Sequence, residues 1–176
     1  HNLYMEINEI YENILDELKK GHRPRVTLSD QQNQEVIDDL SSFKNLKRNL
    51  CIICHFRTPS PAFQKSLINL IESNEKGVVE LTPFIMEACT RHFIDYQHQF
   101  GEPVPPAFFK ALGQFIKRCP KNLLIYPLGI VESLGGKSVY FKKIISELNW
   151  GFQSIFSKDQ RQAIQIIERI QSFWPN

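Results

Sequence analysis

Apolar side chains recur every three or four residues along most of the chain, and this is the period of an amphipathic helix. The first such stretch, residues 3–20, carries five aliphatic residues on one stripe: Leu3, Ile7, Ile10, Ile14 and Leu18. Gly21 follows directly. Because glycine adopts the left-handed conformation that commonly terminates a helix, it predicts that the first helix ends there.

Prolines mark the beginning of three further amphipathic runs. Each proline follows Ser, Thr or another Pro, in the pairs Ser60-Pro61, Thr82-Pro83 and Pro105-Pro106. Proline is favoured in the first helical turn, since the N–H group that it lacks has no intrahelical partner there. Ser29, Ser138 and Ser157 precede three more runs, and we predict that their hydroxyl groups cap helices. The sequence therefore predicts helix starts at six positions.

Two apolar runs, residues 49–56 and 122–128, have no clear period and fit either a short buried strand or a buried helix. The rest of the pattern predicts about seven or eight helices joined by short loops. The expected fold is mainly α, either a compact helical bundle or a short HEAT-like array of helix pairs. One or two short strands are included if the two apolar runs are strands.

Length and composition predict a single helical domain over residues 1–176. The chain has 176 residues, of which 42% are hydrophobic and 23% charged, as in ordinary globular domains. Because the chain begins with His1 rather than Met, we expect it to be part of a longer protein. No run of about 20 apolar residues occurs, so no membrane span is predicted.

The four cysteines raise the question of metal binding. Cys51-x-x-Cys54 and Cys89-x-x-His92 together offer a Cys₃His set with the pair spacings that tetrahedral zinc sites use. However, Ile52 and Ile53 separate the first pair, whereas zinc knuckles usually have polar or glycine residues there. The alternative is four reduced thiols buried for packing, which would place the protein inside the cell, in the cytosol or nucleus. No cofactor is expected, although the spacing is compatible with zinc.

Two other motifs are incomplete. Cys51 to His55 fits the C-x-x-C-H haem-attachment pattern, but no export signal accompanies it. Gly135-Gly136-Lys137-Ser138 resembles the end of a phosphate-binding P-loop, but Val131 stands where the first glycine is required. Since the sequence contains no other catalytic signature, it predicts that the protein is not an enzyme.

A basic region lies between residues 19 and 57 and indicates a contact with nucleic acid or an acidic partner. It has eight basic residues against four acidic ones. The basic residues are Lys19, Lys20, Arg23, Arg25, Lys44, Lys47, Arg48 and Arg57.

Three aromatic residues, Trp150, Phe152 and Phe156, flank Gly151 between two predicted helices. They either fill a core or anchor a protein partner. Amphipathic helices and surplus aromatic residues without catalytic motifs predict a non-catalytic scaffold or adaptor module that binds another protein within a larger assembly. The alternative is a nucleic-acid-associated helical module that uses the basic region, with or without structural zinc. The oligomeric state is left open.

Overall fold

A computed structural model describes residues 5–151 and 157–176, and its regular elements are helices joined by short connections. The chain divides into an N-terminal unit, His1–Glu102, and a C-terminal unit, Pro103–Asn176. The mainly α fold predicted from the hydrophobic period is confirmed. No strand occurs in the described ranges, where the only β pairing is an isolated parallel bridge between Val26 and Phe56. The single domain over residues 1–176 stays a prediction.

The N-terminal unit has seven α-helices and one π-helical turn among its described residues. The α-helices are α1 (Ile7–Lys19), α2 (Asp30–Ser41), α3 (Leu46–Cys54), α4 (Pro61–Glu72), α5 (Lys76–Glu80), α6 (Thr82–Cys89) and α7 (Tyr96–Phe100). The π-helical turn, Thr90–Asp95, connects α6 to α7 without a break. Helix α3 lies at the centre of this unit and packs against α1, α2 and α6. Its Leu50, Ile52 and Ile53 are buried.

The C-terminal unit has four α-helices and two 3-10 helices in its described part. The elements are α8 (Pro106–Arg118), a 3-10 turn Lys121–Leu123, α9 (Ile125–Ser133), a 3-10 helix Gly135–Phe141, α10 (Lys142–Ser146) and α11 (Lys158–Gln171). The principal packing is between α9 and α11. Gly113 allows α8 to approach α10, because a Cβ at this position would lie 2.7 Å from the Cδ1 atom of Ile144.

Most of the predicted helix starts are confirmed. Ser29 forms a capping box with Gln32, and the hydroxyl groups of Ser60 and Ser157 each accept a backbone N–H bond at the start of α4 and α11. Ser138 is the exception, since it lies within the 3-10 helix and caps nothing. Its hydroxyl instead accepts a hydrogen bond of 3.1 Å from the indole Nε1 of Trp174, which lies three residues beyond the end of α11.

The two ambiguous apolar runs are helical. The first forms most of α3, and the second forms the 3-10 turn and the beginning of α9. Pro127 is tolerated in α9 because it occupies the first turn, where a missing N–H breaks no hydrogen bond. Among the described helices, none combines the length and apolar character that crossing a membrane requires.

Candidate functional site

The structure does not assemble the predicted Cys₃His set into a metal centre. Cys51 and Cys54 are half-buried on α3, whereas Cys89 and His92 are buried at the junction of α6 and the π-helical turn. Across the described ranges, no group of three or more Cys, His, Asp or Glu side chains is placed to hold a metal ion. The zinc site therefore gains no support from the geometry.

The ionisation of the thiols reflects their burial in the protein. Burial raises the pKa of the Cys51 thiol to about 11 and that of the Cys54 thiol to about 12. Burial likewise raises the pKa of Cys89. The His92 ring nitrogen Nε2 is 2.7 Å from the carbonyl oxygen of Ile53, so it is engaged as a donor. These residues have the environment of core side chains.

The predicted basic region is distributed over three segments of the N-terminal unit. Lys19, Lys20, Arg23 and Arg25 lie at and beyond the end of α1, Lys44, Lys47 and Arg48 lie at the start of α3, and Arg57 follows α3.

Several of these charges are engaged inside the N-terminal unit. The Arg48 guanidinium lies 2.8 Å from a carboxylate oxygen of Asp39, and the Lys20 ammonium lies 3.7 Å from Glu17. This unit also has more acidic residues (15) than basic ones (11). Nucleic-acid binding through the basic region stays a prediction.

The predicted aromatic anchors are only partly within the described residues. Trp150 is half-buried, and the ammonium of Lys121 lies 5.3 Å from the centroid of its ring. Phe152 and Phe156 lie outside the described residues. Trp150 does not line the apolar groove that the C-terminal unit presents.

That groove, called the α8 groove below, has a volume of about 700 Å³ and is open to solvent along one side. It lies between the first turns of α8 and the 3-10 helix Gly135–Phe141. Its lining residues are Pro106, Ala107, Phe109, Lys110, Lys137, Val139 and Tyr140. The walls are apolar, and the two lysines supply its positive charge.

The 3-10 helix explains why apolar residues face water here. With three residues per turn, positions i and i+3 lie on the same side of such a helix. Ser138 and Phe141 share the inner side and are fully buried, so the residues between them are directed outward. Val139 is consequently 45% exposed and Tyr140 53% exposed.

Aromatic packing holds the exposed ring in place. The centroid of the Tyr140 ring lies 5.4 Å from that of Phe109 and 5.0 Å from that of buried Phe141. Phe109 in turn stacks on Phe141 at 5.8 Å. The wall of the groove is therefore preformed, which reduces the conformational entropy that a partner has to remove on binding.

The sequence contains one signal for this groove that the hydrophobic period did not single out. Phe108 and Phe109 are adjacent on a helix, and neighbouring positions face about 100° apart, so both rings cannot point into one core. Phe108 is buried and Phe109 is half-buried in the groove. A second signal is charge, since Pro103–Asn176 has ten basic residues against four acidic ones.

Comparison of the chain with known proteins identified no matching family model, no similar curated protein and no similar solved structure.

Proposed function

We propose that this protein is a non-catalytic interaction module, and that the α8 groove binds an acidic, amphipathic helical segment of a protein partner. The observation that supports this function is an exposed apolar surface formed by Phe109, Val139 and Tyr140 on an otherwise basic unit. Contiguous apolar patches bordered by polar residues typically mark protein-binding surfaces. Such a partner fits the scaffold or adaptor function expected from the sequence.

The shape of the groove favours a helix as its occupant. A helix buries apolar side chains spaced by three or four residues into a groove of this kind, and aromatic rings commonly provide much of the binding energy. Tyr140 combines a large apolar face with a hydroxyl group that can remain in solvent, an arrangement typical of interface anchors.

Charge selects among amphipathic helices. Lys110 and Lys137 lie in the groove, and the C-terminal unit as a whole has an excess of six positive charges in Lys, Arg, Asp and Glu. A segment with Glu or Asp beside its apolar anchors is attracted, whereas a basic segment is repelled. The partner is therefore proposed to be acidic.

Binding can be tested with a fluorescent synthetic peptide of about 16 residues that has Leu and Phe at helical spacing and Glu elsewhere. We expect it to bind the protein, and we expect Tyr140→Ala to weaken binding by about tenfold or more. Lys137→Glu should also weaken binding of the acidic peptide and reduce the preference for acidic over basic peptides. The matched control is Phe173→Ala, since Phe173 is a comparably exposed aromatic residue of the same unit (48%) that does not line the groove.

Three results would contradict the proposal. One is equal binding of a peptide with the same composition but a scrambled apolar period. Another is an equal effect of Tyr140→Ala and Phe173→Ala. The third is self-association of the protein through this groove in sedimentation experiments, which would make a second copy the occupant. Near-UV circular dichroism of each variant verifies that a loss of binding is not a loss of folding.

The alternative, nucleic-acid association, is distinguished by salt. Phosphate contacts make affinity fall steeply with ionic strength. Binding of a DNA or RNA oligonucleotide that depends steeply on salt, leaves the peptide bound in the α8 groove and is unaffected by Tyr140→Ala would favour that alternative.

A further inference from the structure

The N-terminal unit contains a second, polar cleft of about 380 Å³. It is lined by the segment after α1, the end of α3, helix α6 and the π-helical turn. Its charged and titratable lining consists of Arg23, Arg25, Cys54, His55, Glu87, Arg91 and Asp95. Its volume lies within the range of small-molecule sites.

Long-range hydrogen bonds hold the segment after α1 against α3. The N–H of Val26 donates to the carbonyl oxygen of His55 at 2.8 Å, and the N–H of Arg57 donates to the carbonyl oxygen of Val26 at 3.0 Å. Val26 is itself buried, so the backbone next to Arg25 is held in place, while the side chains of Arg23 and Arg25 are exposed. The two arginines are brought to the cleft by tertiary structure.

The opposite wall is anchored as well. The Tyr96 hydroxyl donates to the carbonyl oxygen of Phe56, and the His92 ring bonds the carbonyl oxygen of Ile53. Gln64 donates to the carbonyl oxygen of His92 at 3.0 Å. These bonds stabilise the widened π-helical turn that carries Arg91 into the cleft. Such turns are rare, and they occur frequently at functional sites.

The arginines retain capacity to bind an anion. Neither Arg23 nor Arg25 forms an ion pair within the part of the chain that is described. Arg91 lies 3.8 Å from an Asp95 carboxylate oxygen, beyond hydrogen-bond distance, and its guanidinium is placed 4.9 Å from the centroid of the Tyr96 ring. Its buried Nε has no hydrogen-bond acceptor among the described residues.

We propose that this cleft binds a small phosphate monoester that also bears an amino or hydroxyl donor. Planar guanidinium groups match the oxygen atoms of phosphate with paired hydrogen bonds, and Arg23, Arg25 and Arg91 supply three such groups. Glu87 and Asp95 lie on the same cleft and accept hydrogen bonds from the donor end. The proposal is independent of the α8 groove, since it concerns another unit of the chain.

The mixed charge of the lining makes the class of ligand specific. An arginine cluster alone would bind any polyanion, but two carboxylates in the same cleft repel a ligand with several adjacent negative charges. A molecule with one phosphate and one ammonium or hydroxyl group satisfies both halves of the cleft. The open volume also suits a small molecule better than a folded partner.

The test uses O-phosphoethanolamine, inorganic phosphate and ethanolamine as probes, titrated calorimetrically at constant ionic strength. We expect O-phosphoethanolamine to bind more tightly than inorganic phosphate, and ethanolamine not to bind. Arg25→Gln should weaken the binding of both phosphate probes by about tenfold or more, because a charge-assisted hydrogen bond is lost. Glu87→Gln should reduce the preference for O-phosphoethanolamine over phosphate while leaving phosphate itself bound.

The matched control is Lys65→Gln, which removes one positive charge from an exposed residue of the same unit outside the cleft. The proposal is overturned if neither phosphate probe binds, or if Lys65→Gln weakens binding as much as Arg25→Gln. It is also overturned if only a phosphorylated peptide or an RNA oligonucleotide binds, because the site would then serve a macromolecule. Peptide binding in the α8 groove should be unaffected by Arg25→Gln, so the two proposals fail separately.

Discussion

The two units of the chain differ in what they bury. The described part of the N-terminal unit buries five polar or charged side chains, Gln32, Asn49, Ser66, Thr82 and His92, whereas the described part of the C-terminal unit buries only Ser138. The N-terminal unit also contains all five histidines and an excess of acidic residues. The C-terminal unit combines an apolar core with an excess of basic residues.

This difference teaches how each unit obtains its specificity. Buried polar groups need partners, and in the N-terminal unit some of those partners lie far away in the sequence, as for His92 and Ile53. The bonds position a polar cleft. In the C-terminal unit, the described core is apolar except for Ser138, which accepts a hydrogen bond from Trp174. The packing of this core leaves Val139 and Tyr140 outside it. The unit whose interior contains more polar groups thus has the polar cleft, and the unit whose interior is almost entirely apolar has the apolar groove.

The largest expected effect is the loss of the central aromatic residue in the C-terminal unit. Phe141 is fully buried and supports both Phe109 and Tyr140. We expect Phe141→Ala to lower the free energy of unfolding by about 3–5 kcal/mol, since it removes apolar contacts and leaves a cavity. The measurement is chemical denaturation combined with amide hydrogen exchange.

Hydrogen exchange also tests whether the two units are independent. Equal loss of protection in both units after Phe141→Ala would show one cooperative domain, as chain length predicts. Loss confined to the C-terminal unit would show two. A destabilisation below about 1 kcal/mol would contradict the assignment of Phe141 to a close-packed core.

The second effect is a pH dependence confined to the N-terminal unit. Burial lowers the pKa of His92 from 6.5 to about 4, and the positive charge of Arg91 lowers it further, against the raising effect of the Ile53 hydrogen bond. The unfolded chain therefore binds a proton first as the pH falls through 6.5. The free energy of unfolding has its full value above this pH. It is lower by about 2 kcal/mol at about pH 5 and by about 3 kcal/mol at about pH 4.

The control for this prediction is His92→Gln, whose amide can still donate to the Ile53 carbonyl oxygen but does not titrate. Urea denaturation of both proteins between about pH 7.5 and about pH 5 measures how the free energy of unfolding changes with pH. The variant should have a shallower dependence than the original protein. An unchanged slope would show that other groups dominate, and hydrogen exchange should locate the acid-sensitive region within the N-terminal unit.

The smallest effect compares one ion pair from each unit. The Arg48–Asp39 pair of the N-terminal unit is mostly buried, with side chains 14% and 21% exposed, and Arg48 also donates to Asn8 at 2.9 Å. We expect Arg48→Met to lower the free energy of unfolding by about 2 kcal/mol, because Asp39 loses a charge-assisted hydrogen bond.

The matched control is Arg169→Met in the C-terminal unit, since Arg169 lies 2.6 Å from Glu132 but is 56% exposed. Solvent screening should make the loss of stability clearly smaller than that of Arg48→Met. Thermal denaturation at low and high salt measures both. Equal costs for the two variants would show that burial does not distinguish the pairs.

Local rules in the sequence predicted most of the helices. Ser29, Ser60 and Ser157 cap helices because a short hydroxyl side chain satisfies backbone N–H groups only a few residues away. The same rule was wrong for Ser138, whose hydroxyl is engaged by Trp174 from a distance of 36 residues. A competing partner so far along the chain leaves no local signal.

Candidate sites were harder to predict than helices. The Cys and His spacing predicted zinc, but spacing does not reveal burial, and the raised pKa values of Cys51 and Cys54 result from the tertiary environment. The sequence marked Arg23 and Arg25 as basic but could not place Arg91 beside them. It also contained no hydrophobic repeat that would predict the 3-10 helix on which Tyr140 is exposed.

The sequence by itself determined the helical class of the fold, most helix starts and the absence of a complete catalytic motif, since all three depend on residues close together in the chain. Only the tertiary structure decided that the two ambiguous apolar runs are helices, that Cys51 and Cys54 are half-buried while Cys89 and Cys119 are buried, and that a polar cleft and an apolar groove form. These features depend on hydrogen bonds and packing between segments as many as 40 residues apart, such as Tyr96 and Phe56. Local propensity does not encode such contacts, because their energy appears only after the chain has folded.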